Sequence, residues 1–176
     1  MRRDRLARRI ATVDQAKFPG ADVLAQETSL TLIRAFGTLT ALIDEQLACV
    51  GLSRAKLHVL AFLNRAEADV RMTDIGQWLG VTKAHVTRLV DDLEQDGLAA
   101  RVASPNDRRA IHVQITTGGR RRLDDALRPH LDHLSALLAG LSDDEKLVLI
   151  HLVTKARDHM LQAAGRAPEA QPAFPV

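Results

Sequence analysis

Residues 73–116 restrict this chain to very few folds. Two helical patterns are separated only by "LGV", and two strand patterns follow at once. Thr73 reads as the cap of a short helix, Asp74 to Leu79, whose positive end Asp74 favours. Thr82 reads as the cap of the next helix, which runs to about Asp96 and is closed by Gly97. "LAARVA" and "AIHVQI" then flank "SPNDR" as a hairpin, with Ile111, Val113 and Ile115 on one face and His112 and Gln114 on the other. "ADVRM", upstream, has room for a single bridge-forming strand. Helix, tight turn, helix and hairpin make a winged helix-turn-helix. The fold class is mainly α with a small β-hairpin wing (α+β).

The flanks are helical. Leu32, Phe36, Leu39, Ile43 and Leu47 recur at helical spacing, so one long helix covers Ala21 to about Ala48, with Gly51 as its stop. Ser53 caps the next, Arg54 to Ala66, whose Leu57, Leu60, Ala61 and Leu63 face inward. Thr116 and the glycines after it open another helix. Its Leu127, Leu131, Leu134, Leu138 and Leu141 alternate four and three apart, the seam by which helices pair. Pro129 predicts a kink or restart inside it. "SDDE" at 142–145 is a capping box for a last helix to about Gln162, and the seam continues in Leu147, Ile150 and Val153. The Pro/Ala-rich residues 165–176 read as disordered. Residues 1–20 end in the breaker "FPG" and read as a short helix or a mobile arm.

Net charge is only +2 in 176 residues, so its distribution matters more than its total. Residues 1–20 hold six Arg/Lys against two Asp, and residues 71–122 hold nine basic against six acidic residues. Residues 123–163 hold four basic against seven acidic residues. The single cysteine, Cys49, excludes an internal disulfide, no apolar run reaches the length of a membrane span, and "MRRDRLARRI" has no apolar region after it. These features point to a cytoplasmic protein that does not enter a membrane.

On the second helix of the motif, Val86, Leu89, Val90 and Leu93 cluster on one face. Ala84 and Arg88 lie opposite, with His85 and Thr87 flanking and Lys83 nearer the buried edge. An aliphatic stripe thus backs a small, polar, cationic face that suits the major groove of double-stranded DNA. Asp91 and Asp92 lie outward and would repel phosphate, which places them where the helix leaves the groove. At the hairpin tip Arg108 and Arg109 supply cations of the kind a narrow minor groove attracts, and Asp107 accepts the hydrogen bonds that hold the turn. The bland alternative is a solvated turn.

"VTRLVDDLEQDGLAAR" and "DRRAIHVQITTGG" resemble the MarR family of winged-helix transcriptional regulators, over about Leu52 to Arg122. The resemblance implies a homodimer joined through N- and C-terminal helices, bound to a pseudo-palindromic operator as a repressor and released by a small effector. It implies DNA contact from Lys83, Thr87 and Arg88, and Arg109 in the minor groove with Asp107 as its wing partner; Thr82, His85 and Arg108, which adjoin them, are expected to contact DNA as well. The organisation is then a basic extension (1–20), an N-terminal dimerisation helix (21–50), a winged helix-turn-helix domain (52–116), C-terminal dimerisation helices (117–163) and a tail (164–176). An effector pocket falls on the inner faces of residues 30–60, including Arg34, Phe36 and His58, a lining suited to an apolar or carboxylate ligand. His85 stands where the family commonly has a small hydroxyl residue, which leaves base preference open.

Other features have plain readings. Cys49 reads as a packed thiol rather than a redox sensor. His130 and His133, with His151 and His159, read as surface or interface histidines rather than metal ligands. Arg120–Arg122 fit a solvated helix start as well as a phosphate contact. No glycine-rich phosphate loop, nucleophile elbow or zinc-ligand set is present, which argues against an enzyme and against any cofactor. The competing class is a winged-helix protein-interaction module without sequence-specific DNA binding.

Overall fold

The structure is a computed structural model, and it describes residues 4–66, 70–103 and 111–166. In chain order the elements are α1 (Arg5–Lys17), α2 (Val23–Ala48), α3 (Arg54–Arg65), β1 (Val70–Arg71), α4 (Met72–Leu79), α5 (Lys83–Gln95), β2 (Ala99–Ala103), β3 (Ile111–Ile115), α6 (Thr117–Leu137) and α7 (Asp143–Ala163). The chain divides into two compact units, Met1–Glu45 and Gln46–Val176.

In the first unit the basic lead is a helix. The Asp4 carboxylate accepts from the backbone N–H groups of Leu6 (2.9 Å) and Ala7 (3.1 Å), which satisfies two donors of the first turn of α1. Its other oxygen accepts from Arg34 Nε on α2 at 2.9 Å. The Ala7 hydrogen bond first, and Arg34 second, hold the Asp4 carboxyl below its ordinary value. A further hydrogen bond, from Gln26 to Asp14, sets α1 antiparallel along α2. Ala7 and Ala11, one turn apart, are fully buried.

The second unit is built around α3, whose Leu57, Val59, Leu60, Ala61, Phe62 and Leu63 are all buried. Ser53 caps it through Lys56 N. The sheet order is β1-β3-β2, antiparallel throughout, with Val70 opposite Val113 and Ala99 opposite Ile115. Val113 and Ile115 enter the core as the alternation predicts, but Ile111 is 51% exposed. It pairs with Ala103 at the far end of the hairpin, past the reach of the helices. Ile75, Val86, Val90, Leu93 and Leu123 complete a core of aliphatic side chains. Each contributes about 1.5–3 kcal/mol by leaving water.

Two further expectations are corrected. The cap of α4 is Arg71, not Thr73, because Asp74 reaches back to the Arg71 backbone N–H (3.3 Å) and to its guanidinium, which starts the helix two residues earlier. And α6 runs uninterrupted through Pro129 rather than restarting. The ring forfeits one intrahelical N–H, a loss a long packed helix absorbs.

α6 begins where Thr116 Oγ1 accepts from Gly119 N at 2.9 Å and donates to the Gly97 carbonyl at 2.7 Å. Gly119 has no room for a side chain: a Cβ would meet the Leu98 carbonyl oxygen at 2.0 Å. α7 opens with the Ser142–Glu145 capping box and has no buried residue. Leu147, Val148, Ile150 and Leu152 are each more than half exposed. Among the described residues no helix is long and apolar enough to cross a membrane, and no group of three His, Cys, Asp or Glu is placed to hold a metal.

Candidate nucleic-acid interface

Two helices and one arginine build the candidate surface. α4 ends at Gly80, whose left-handed backbone (φ 65°) lets the chain reverse within a turn. Gly76 allows α5 to approach closely, since a Cβ there would press on Val86 Cγ2 at 3.3 Å. Thr82 caps α5 by accepting from His85 N at 3.4 Å. Val86, Leu89, Val90 and Leu93 are buried, so the orientation of α5 is fixed by the same stripe that the spacing predicts. Lys83, Ala84, His85 and Arg88 are exposed on its other side. Thr87 is half-buried, and its hydroxyl donates to the Lys83 carbonyl at 3.0 Å. The exposed face of α5 thus presents Lys83 and the small Ala84 at its positive end, with Arg88 one turn on.

Arg101 on β2 was not singled out in the sequence. Its guanidinium pairs with Asp91 at 2.7 Å and with Glu94, and donates to the Thr87 carbonyl at 3.3 Å. Its backbone N–H donates to Glu94 Oε1 at 2.7 Å. Burial pulls Arg101 down, but the Asp91 hydrogen bond and the charges of Glu94 and Asp91 outweigh it and hold the group above its ordinary value. The wing strand is therefore bolted to the helix it flanks, and Asp91 faces a cation instead of standing as a bare carboxylate. The signal was present: acidic residues three apart on the helix, then an arginine on the strand after the Gly97 turn.

Asp107, Arg108 and Arg109 lie outside the described residues. β2 and β3, which lead to them and away, are in place. Of the residues proposed for an effector, Arg34 is held by Asp4 and Phe36 is 67% exposed, both in the N-terminal unit. His58 belongs to the other unit and meets Trp78 edge-on, with ring centroids 5.8 Å apart, while Phe62 stacks on the same indole at 4.9 Å. Cys49 is exposed, not packed, because it lies just past the end of α2. His130 is no surface group: only 7% of it is exposed.

Comparison with known proteins gives consistent results. The MarR family model matches residues 50–110. The HTH-type transcriptional repressor YetL of Bacillus subtilis (strain 168) is 30% identical over 138 residues, 77% of this chain and 82% of its own. MarR from E. coli, solved as a mutant complexed with operator DNA, superposes with a TM-score of 0.68 at 27% identity, over 77% of this chain and 99% of its own. CouR from Rhodococcus jostii RHA1, solved bound to p-coumaroyl-CoA, does so with a TM-score of 0.63 at 25% identity, over 82% and 96%.

Proposed function

Because this chain belongs to the MarR family of transcriptional regulators, we propose that it is a homodimeric repressor. Its α5 reads one half of a pseudo-palindromic operator. The observation that carries this reading is the exposed Lys83–His85–Arg88 face of α5, backed by a fully buried stripe and free of uncompensated charge at Asp91. Arg88 is the base-reading side chain, since a guanidinium matches the two acceptors of guanine in the major groove. Lys83, Thr82, His85 and Thr87 stand around it at the helix start, where phosphates approach. Arg109, with Arg108 beside it and Asp107 holding the turn, serves the adjacent minor groove.

A dimer is supported by α7. A helix with Leu147, Val148, Ile150 and Leu152 in water leaves more contiguous apolar surface than a lone chain sustains. Two copies of α5 would then sit roughly 34–36 Å apart, the spacing of successive major grooves on one face of DNA. An effector of apolar or carboxylate character releases the DNA; that a small molecule binds such a fold is supported by CouR, solved with p-coumaroyl-CoA bound. The protein acts in the cytoplasm, where its operator is.

The test is fluorescence anisotropy with a selected duplex. Arg88→Ala is expected to weaken binding and relax preference at one base position, by about 1–3 kcal/mol. Arg109→Ala is expected to weaken binding across sequences and reduce the salt slope by about one. Unchanged affinity in both would overturn the assigned surface.

A further inference from the structure

On α6 the buried residues are Gly119, Leu123, Ala126 and His130. They are spaced four, three and four, so one stripe of the helix faces the interior. α6 packs on α3, the central helix of the DNA-binding unit. The stripe is apolar or backbone until its last member, which is an imidazole. His130 Nδ1 lies 3.1 Å from Gln46 Oε1. With that amide oxygen as acceptor, Nδ1 carries the ring proton and Nε2 is the atom left to protonate.

The surroundings of this ring make a second proton unwelcome. His133 lies one turn on along α6, and its charge acts on His130. On α3, His58 feels the charge of His130 and that of Arg54. α4 contributes the uncharged Trp78, against which His58 stands edge-on. The end of α2 contributes the neutral Gln46. Among the described residues, the charges named as acting on the two imidazoles are Arg54 and the histidines themselves, cations or groups that become cations in acid. Burial first, and His133 second, hold His130 below the ordinary histidine value; burial, then His130 and Arg54, do the same for His58.

We propose that His130 makes the α6–α3 packing acid-sensitive. The neutral ring closes the buried stripe, and its protonation loosens the stripe and weakens the winged unit that α3 supports. A proton and DNA are then antagonists, bound by different states of one unit. The DNA half of this proposal rests on the function proposed above.

The sign follows from the folded form holding its proton less tightly than the unfolded chain. Stability is full above the unfolded value of about 6.5. It falls as pH drops below that value, until the folded protein also takes up the proton.

The experiment uses the full chain. Ring-proton NMR follows each histidine from pH 8 to 5, urea midpoints are measured over the same range, and operator affinity is measured at fixed ionic strength. His130→Gln keeps a neutral polar group and removes the titration. The wild-type urea midpoint is expected to fall more steeply below pH 7 than that of His130→Gln, and operator affinity to fall roughly tenfold more, the effect of one proton excluded over one pH unit. Parallel slopes, or a His130 ring titrating at or above the ordinary value, would overturn the proposal. If His130→Gln does not fold, the wild-type ring titration decides alone. If no duplex binds at any pH, the DNA reading fails, while the ring titration and urea slopes still judge the sensor.

Discussion

Arg101→Met tests whether the wing and the recognition helix act as one piece. The methionine keeps the stem and removes the guanidinium, which holds three partners at the end of a side chain 25% exposed. Asp91, 57% exposed, regains water readily, so that pair accounts for at most about 1 kcal/mol. Glu94 is 31% exposed and keeps the Arg101 backbone N–H, so it loses one charge-assisted bond, about 1–2 kcal/mol. The Thr87 carbonyl loses a secondary donor at 3.3 Å, a small effect. A total of about 1.5–3 kcal/mol lowers Tm by roughly 4–10 °C for a chain of this size. The affinity for DNA is expected to fall further than stability explains, because Asp91 then faces the phosphates as an uncompensated anion. Calorimetry gives the first quantity and anisotropy the second. Asp91→Asn added to Arg101→Met is expected to recover part of the affinity without recovering Tm. A Tm within a degree of wild type, or no recovery in the double variant, would refute the reasoning.

Three other outcomes are expected. Gly119→Ala places a Cβ 2.0 Å from the Leu98 carbonyl oxygen, so the start of α6 must move and thermal melts should show a loss of about 1–3 kcal/mol. Ile150→Glu, at a position 62% exposed in one chain, should leave a folded monomer and convert a dimer to monomers in analytical ultracentrifugation. The Asp4 carboxyl is held low by Ala7 N–H and Arg34, so its contribution is present above the ordinary carboxylate range and lost as pH falls through the lowered value. Melts between pH 5 and 2.5 should show a smaller acid-induced loss in Asp4→Asn than in wild type.

What was legible in the sequence is what local chemistry decides. Ser53, Thr82, Thr116 and Ser142 cap the helices they precede, because a hydroxyl one residue before a periodic run has its backbone donor within reach. The buried stripe of α5 followed from spacing alone. Thr73 failed as a cap because Asp74, one residue on, competes with a longer and charged reach. Ile111 failed because alternation reports the face of a strand and not how far the core extends under it. His130 and Arg101 escaped for a shared reason. Each draws its meaning from residues distant in the chain, Gln46 in one case and Asp91 and Glu94 in the other. A polar residue at a stripe position reads as surface until the opposing helix is known.

The most direct test of the account is selection from a pool of random duplexes, followed by affinity of the winner at several salt concentrations. An enriched inverted repeat with half-sites one helical turn apart is expected, with affinity falling steeply as salt rises. Recovery of no common site, with binding insensitive to salt, would contradict the claim that this winged helix reads DNA.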